Sequence, residues 1–299
     1  MTMPGNRSQA PVVRVEMLGG LGNQLFQAAA GYALAKRLGA ALQFDVSRYR
    51  QSGSRAYALD GLAHGAEVVG QSTWLSQRMN RVRRALSFGR PFAPAGWAGG
   101  AFREHSYAYD NRFETLTGSQ YLSGYFHSAR YFAPFEDEVR GAFDLAQVAS
   151  PEAKAKGASL PAQSLAVHVR IGDFKSENVF NTVHGTLSPR YYRDAIALVT
   201  AARPIERIYV FTDTPQAIPQ LIPAGLDYEA VTGFSAQDDL FLMSRARHHI
   251  IANSTFSWWS AWLAPQVDTL TCAPRAWLAP EALKKTYIGD LYPEGWVML

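Results

Sequence analysis

The chain is expected to be an α/β protein with parallel sheets in two doubly wound units, and three stretches predict it. VVRVEM (12–17) alternates apolar and polar side chains, with Val13, Val15 and Met17 on one face, as a strand does. It runs through LGGLGNQ into a helical stretch with Leu25, Ala28, Ala29 and Tyr32 at helical spacing and Gly39 as a natural residue just past its end. ALQFD (41–45) then reads as a second strand, making a βαβ unit with a parallel sheet. SLAVHVR (164–170) is apolar almost to its end, as a strand covered on both faces is.

Residues 48–110 hold the arginines Arg78, Arg81, Arg83 and Arg84 and the Pro/Gly-rich RPFAPAGWAGG, and are expected to be irregular with a helix or two. YLSGYFHSARYF (121–132) and a short acidic helix lead to Ser150–Pro161, rich in Ala, Lys, Ser and Pro, the expected linker. The expected domains are therefore 1–155 and 156–299. In the second, Ser188 and Pro189 open a helix running to Ala202. RIYVFTD (207–213) is a strand followed by a short helix, 238–247 is helical, HHIIANST is a strand entering a turn, and FSWWSAWLA opens the next helix.

At 299 residues, 47% hydrophobic and 18% charged, the chain has the composition of a globular protein with a large core. A net charge of +4 suits an anionic ligand or a loose peripheral contact with an acidic membrane, but is too small for a nucleic-acid binder. The single cysteine, Cys272, can form neither an internal disulfide nor a cysteine-based zinc site. MTMPGNRSQAP lacks the apolar stretch of a secretory signal, and no apolar run is long enough to span a bilayer, so the expected compartment is the cytoplasm.

Ligands of open α/β sheets bind beyond the carboxyl ends of the strands, and four polar clusters fall there. GGLGNQLFQ (19–27) is a glycine turn into a helix N-terminus, either a plain βα turn or an anion site; it fits neither the dinucleotide fingerprint nor a phosphate loop. In HVRIGDF (168–174), strand alternation puts His168 and Arg170 on one face. Arg170 offers a permanent charge and a planar fork to a phosphate, unless it simply pairs with Asp173. FTDTP (211–215) places Asp213 where it could cap a helix. In the fourth cluster (238–263), Asn253, Ser254 and Thr255 turn a strand into a helix, as a diphosphate cradle or an N-cap, and Trp258, Trp259 and Trp262 read as core. Asp238 and Asp239 complement a helix dipole, yet a carboxylate is also the group that accepts the paired N–H donors of a guanine edge.

GGLGNQLFQ, GYFHSARYF, HVRIGDF, FTDTP and NSTFSWWSAWL, in this order, resemble the α-1,2-fucosyltransferases of bacteria and animals, glycosyltransferase family 11. The resemblance implies a GT-B fold: two Rossmann-like domains facing a cleft, with the N-terminal one on the acceptor side and the C-terminal one holding the donor. It implies inverting transfer of fucose from GDP-fucose to the 2-hydroxyl of a terminal β-galactoside acceptor. Arg170 would hold the β-phosphate, His168 and Asp239 the guanine, and Ser254 and Thr255 the phosphates, while Gly22 and Asn23 would close over diphosphate and sugar; Asn253 is also expected at the donor. Asp173 is the expected general base. No Asp-x-Asp occurs, so no metal or other cofactor is expected. The chain departs from the family pattern at Ile171, where many members carry a second arginine, and at His127–Arg130. The rival readings are a fucosyltransferase of another linkage or acceptor, and a non-catalytic GDP-sugar-binding module.

Overall fold

The computed structural model describes residues 10–49, 56–70, 93–94, 96–170 and 185–299. Asp173, Ile171 and the Arg78–Arg84 cluster lie outside the described residues.

The first sheet is parallel throughout, in the order β3-β2-β1-β5-β4, built from β1 (Val12–Glu16), β2 (Ala41–Asp45), β3 (Glu67–Val69), β4 (Gly100–Arg103) and β5 (Gln120–Ser123). Between β1 and β2 runs α1 (Leu21–Leu38), ending where Gly39 takes a left-handed φ of 59° that an L side chain resists. The segments containing β3 and β4 were expected to be irregular. Both are edge strands of three or four residues, too short to show a period of two.

The expected linker is instead largely helical. After α2 (Glu136–Ala142), Ser150 caps α3 (Pro151–Ala158), its hydroxyl accepting from Ala153 N at 3.1 Å with Pro151 in the first helical position.

The second sheet, also parallel, has the order β11-β10-β9-β6-β7-β8. Its strands are β6 (Ser164–His168), β7 (Arg207–Phe211), β8 (Glu229–Val231), β9 (His248–Ile250), β10 (Thr271–Ala273) and β11 (Val297–Met298). α4 (Pro189–Ala202) starts at the Ser188 cap, α5 (Ala236–Arg245) precedes β9, and α6 (Thr255–Leu263) follows it. Two Rossmann-like sheets facing one cleft make this a GT-B fold.

In the second sheet the winding reverses between β6 and β9, and in the first β2 and β3 lie to one side of β1 with β5 and β4 to the other, so each sheet has a switch point beside its first strand. Such switch points open a crevice at the strands' carboxyl ends, and here the two crevices face each other. One apolar core runs through both halves. Phe26 of α1 lies 4.4 Å from the Trp258 ring and 5.1 Å from the Trp259 ring, centroid to centroid, so the tryptophans are core, as expected. Near the C-terminus the chain returns to the first half, where Asp290 accepts from Tyr109 N at 2.9 Å and pairs with Arg130 at 3.0 Å.

The halves approach closely at Gly22. A Cβ there would stand 2.4 Å from the Thr255 carbonyl carbon and 2.5 Å from Phe256 N. Gly22→Ala must therefore force two helix ends apart. It is expected to destabilise the fold by about 1–3 kcal/mol, the usual cost of overpacking, read as a lower melting temperature by calorimetry; an unchanged melting temperature would show that the interface yields.

Candidate active site

The cleft between the sheets encloses about 570 Å³. Eight of the nine residues expected at the site line it: Gly22, Asn23, His168, Arg170, Asp239, Asn253, Ser254 and Thr255. The ninth, Asp173, lies outside the described residues. The approach of residues so far apart in sequence follows from the facing switch points.

Three helix N-termini converge here, those of α1, α5 and α6. Neither α1 nor α6 has an acidic residue in its first turn, so the partial positive charge of each end is uncompensated from within. The Ser254 hydroxyl makes no capping bond. Arg170, just past β6, adds a full positive charge beside them, its Nη1 donating to the Asn253 carbonyl at 3.3 Å. One wall of the cleft is thus built for an anion.

Another wall is different in character. Asp239, in the first turn of α5, has a buried Oδ1 that no hydrogen bond reaches among the described residues. Burial, with Asp238 next to it, pushes its carboxyl up to about 7. The His168 Nδ1 is also buried without a partner among the described residues. Burial, reinforced by Arg170, takes this imidazole down to about 3, so it is neutral at physiological pH. Buried polar atoms left unpaired are costly and point to a ligand that supplies the missing bonds. Asp238, by contrast, is fully used: its Oδ1 accepts from Ser150 N at 2.7 Å and its Oδ2 from the hydroxyl of Ser235, the N-cap of α5, at 2.9 Å, tying the helix to the start of α3.

Several expected donor contacts are committed to the protein itself. The Thr255 hydroxyl donates to Asn23 Oδ1 at 2.8 Å, across the two halves. Asn253 Nδ2 donates to the carbonyls of Gly185 at 3.3 Å and Trp277 at 3.4 Å. These two side chains shape the cleft from behind. The motif glutamines do the same for the glycine turn. Gln24 donates to the Gly19 and Ala56 carbonyls and accepts from Ala58 N, while Gln27 bonds both the N–H and the carbonyl of Leu18.

Tyr107, Tyr125, His127, Asp213, Phe256 and Trp277 also line the cleft and were not expected there. His127 and Asp213 stand within motifs already singled out, but nothing local shows which way they point. His127 Nε2 lies 3.1 Å from Asn23 Oδ1; a carboxamide oxygen only accepts, so the imidazole carries its proton on Nε2. The ring is stacked 5.1 Å from Tyr125 at an interplanar angle of 12°. Glu104, at the end of β4, holds this turn: its Oε2 accepts from Tyr125 N at 2.9 Å and Phe126 N at 2.6 Å, although Phe126 has a left-handed φ of 57°. Asp213 is exposed, and no side-chain bond caps the turn that follows it.

Comparison with known proteins identifies a glycosyltransferase. The chain belongs to glycosyl transferase family 11, whose family model matches residues 101–299. It is 28% identical over 293 residues to an α-1,2-colitosyltransferase of Escherichia coli, covering 96% of this chain and 99% of that one. It is 26% identical over 281 residues to the O-antigen biosynthesis glycosyltransferase WbnK of Escherichia coli, covering 87% and 93%. The crystal structure of fucosyltransferase NodZ from Bradyrhizobium is similar at a TM-score of 0.47 and 17% identity, covering 86% of this chain and 94% of that one. At that distance it is the chain's own two sheets that define its fold.

Glu104 gives a stability prediction. Burial, opposed by its two amide bonds, pushes the carboxyl up from 4.5 to about 7. The folded state therefore binds more protons than the unfolded state between those values, and stability falls as pH rises through them. Denaturant titrations from pH 4 to 8 should show this decline in the wild type and a flatter profile in Glu104→Gln; parallel profiles would remove Glu104 as its source.

Proposed function

We propose that the cleft binds GDP-fucose and that the protein transfers fucose, with inversion and without a metal, to the 2-hydroxyl of a terminal β-galactoside. One observation carries the donor assignment: a wall with uncompensated positive helix ends and Arg170 adjoins a wall with two unpaired buried polar atoms, on Asp239 and His168. A nucleoside diphosphate needs this pairing, and a guanine N–H pair meets the Asp239 carboxylate. The α-1,2 linkage and a 6-deoxy sugar are supported by the relative named as an α-1,2-colitosyltransferase. That name also favours a second reading, GDP-colitose as donor. Colitose is fucose without its 3-hydroxyl, so comparing kcat/KM for the two donors decides between them.

In the transfer itself, negative charge grows on the departing diphosphate while the sugar becomes oxocarbenium-like. Arg170 and the amides opening α1 and α6 are fixed before the reaction, so they stabilise that charge without reorganising. Neutral His168 and ionised Asp239 orient the guanine. Proton removal from the acceptor falls to Asp173, as expected from the sequence, or to His127, whose ring stands on the first domain's side of the cleft. Among the described residues no group of three or more His, Cys, Asp or Glu side chains could hold a metal ion, and in the proposed reaction Arg170 takes the charge-neutralising role.

Two measurements test this reading. Asp239 must be ionised to accept two guanine bonds, so GDP binding should release a proton. Affinity should weaken by up to about tenfold per pH unit below about 7 and level off above it. Asp239→Asn should weaken GDP by roughly 1.5–3 kcal/mol and lose that part of the pH dependence, with the phosphates' own titration common to both proteins. Calorimetric titration giving equal affinity and slope in both would place the guanine elsewhere. Arg170→Lys keeps the charge but loses the fork, and turnover should fall on the order of a hundred- to a thousandfold. The same assay in excess EDTA should keep its full rate; a loss restored only by Mn²⁺ or Mg²⁺ would overturn the metal-free reading.

A further inference from the structure

A second cavity, of about 500 Å³, opens beyond the cleft and shares with it the rings of Tyr107, Tyr125 and His127. It lies at the carboxyl ends of β1, β4 and β5, and the C-terminal stretch around Lys285–Tyr287 forms its far side. Asp290, anchored on Tyr109 and Arg130, fixes the course of that stretch.

Two features set its walls apart. Tyr125 is 42% exposed and Tyr287 63%, so two flat aromatic faces stand open to solvent in one cavity. The C–H face of a pyranose ring is a natural complement to such a surface. The cavity also collects Arg48, Arg103 and Lys285, whose charged ends have no ion pair or side-chain hydrogen bond among the described residues. Elsewhere many cations are matched, as in Arg112–Asp110, Arg130–Asp290, Lys156–Glu229 and Arg207–Asp227. Two carboxylates in the same walls are engaged: Glu16 accepts from the Ser123 hydroxyl at 2.9 Å, and Glu104 holds the amides of Tyr125 and Phe126. Three cations against two carboxylates leave an excess of positive charge, and a concave site with low-dielectric walls focuses such a field on whatever enters.

We propose that this cavity is the acceptor's second subsite and that it selects acceptors bearing an anionic group, a carboxylate or a phosphate, next to the sugar that receives the transfer. The assignment rests on the glycosyl-transfer reading above. The receiving sugar sits at the Tyr107–Tyr125–His127 seam, beside the donor cleft. Its neighbour lies along Tyr125 and Tyr287, and the negative group meets Arg103, Arg48 and Lys285. Arginine binds either oxyanion through paired N–H donors, so the two sources share one chemistry.

The test is calorimetric titration of the GDP-loaded protein with four probes. These are a neutral β-galactosyl disaccharide, the same disaccharide with a uronic acid as its second sugar, the methyl ester of that acid, and the neutral disaccharide's reducing-end 1-phosphate. The acid or the phosphate should bind on the order of tenfold or more tighter than its neutral counterpart, and whichever does so identifies the source of the charge. Arg103→Gln and, separately, the exposed Lys285→Gln should each remove much of that preference, with melting temperature and GDP affinity as the folding check. Equal binding of charged and neutral probes, or a preference that survives both substitutions, overturns the proposal. Transfer assays with the same probes separate the two readings. Turnover without charge preference leaves glycosyl transfer standing and this subsite refuted. Charge-selective binding without transfer to any probe keeps an anion-selective cavity but refutes the β-galactosyl transfer reading, and with it the cavity's role as an acceptor subsite.

Discussion

The contact between the N-terminal ends of α1 and α6 is the constraint on which the rest of the molecule depends. Only a residue without a Cβ lets these ends approach as they do at Gly22, and the Asn23–Thr255 hydrogen bond then locks one half of the chain to the other. Behind it, Phe26, Trp258 and Trp259 bury large aromatic surfaces in a core common to both sheets. Domains that meet through a small polar interface move freely, whereas a large apolar one holds them in register. Here the seam is apolar and the cleft is formed by it, so the two walls keep their spacing without a bound ligand.

That rigidity explains the electrostatics. Two helix ends and an arginine held close together would repel one another, and the cost is borne by the packing that holds them. The same packing strips water from Asp239 and His168, leaving one carboxyl near neutrality and one imidazole uncharged. A cleft organised in this way has already met the desolvation and positioning costs that a flexible site would meet during the reaction.

The first domain contributes through a different device. Phe126 takes a left-handed φ, and Glu104 offsets the strain by accepting two backbone N–H bonds on a single carboxylate oxygen. The turn thereby sets His127 against Asn23 and stacks it on Tyr125. Glu104 acts through the backbone it holds, and the chemistry at the seam belongs to the rings it places.

Much of this was legible in the sequence wherever the signal is local. The β1–α1–β2 unit, the Ser188–Pro189 helix start and the core role of the tryptophans follow from periodicity, caps and apolar spacing within a dozen or so residues. Strand-end placement likewise brought Arg170, His168 and the 253–255 turn forward as candidates, while Asp239 entered the site through the family resemblance. Short edge strands such as β3 and β4 carry too few residues for a period, and the helix at 151–158 reads as a linker because its composition is polar and small. Whether a polar side chain meets a ligand or the protein is decided only by tertiary structure. Thr255 is spent on a partner 232 residues away and Asn253 on the Gly185 and Trp277 carbonyls, and no local pattern encodes such pairings. The sequence by itself determined which chemical groups stand at the strand ends. Which of them stay available to a ligand was settled by long-range packing, because a hydrogen bond depends on distance in space and not on separation along the chain.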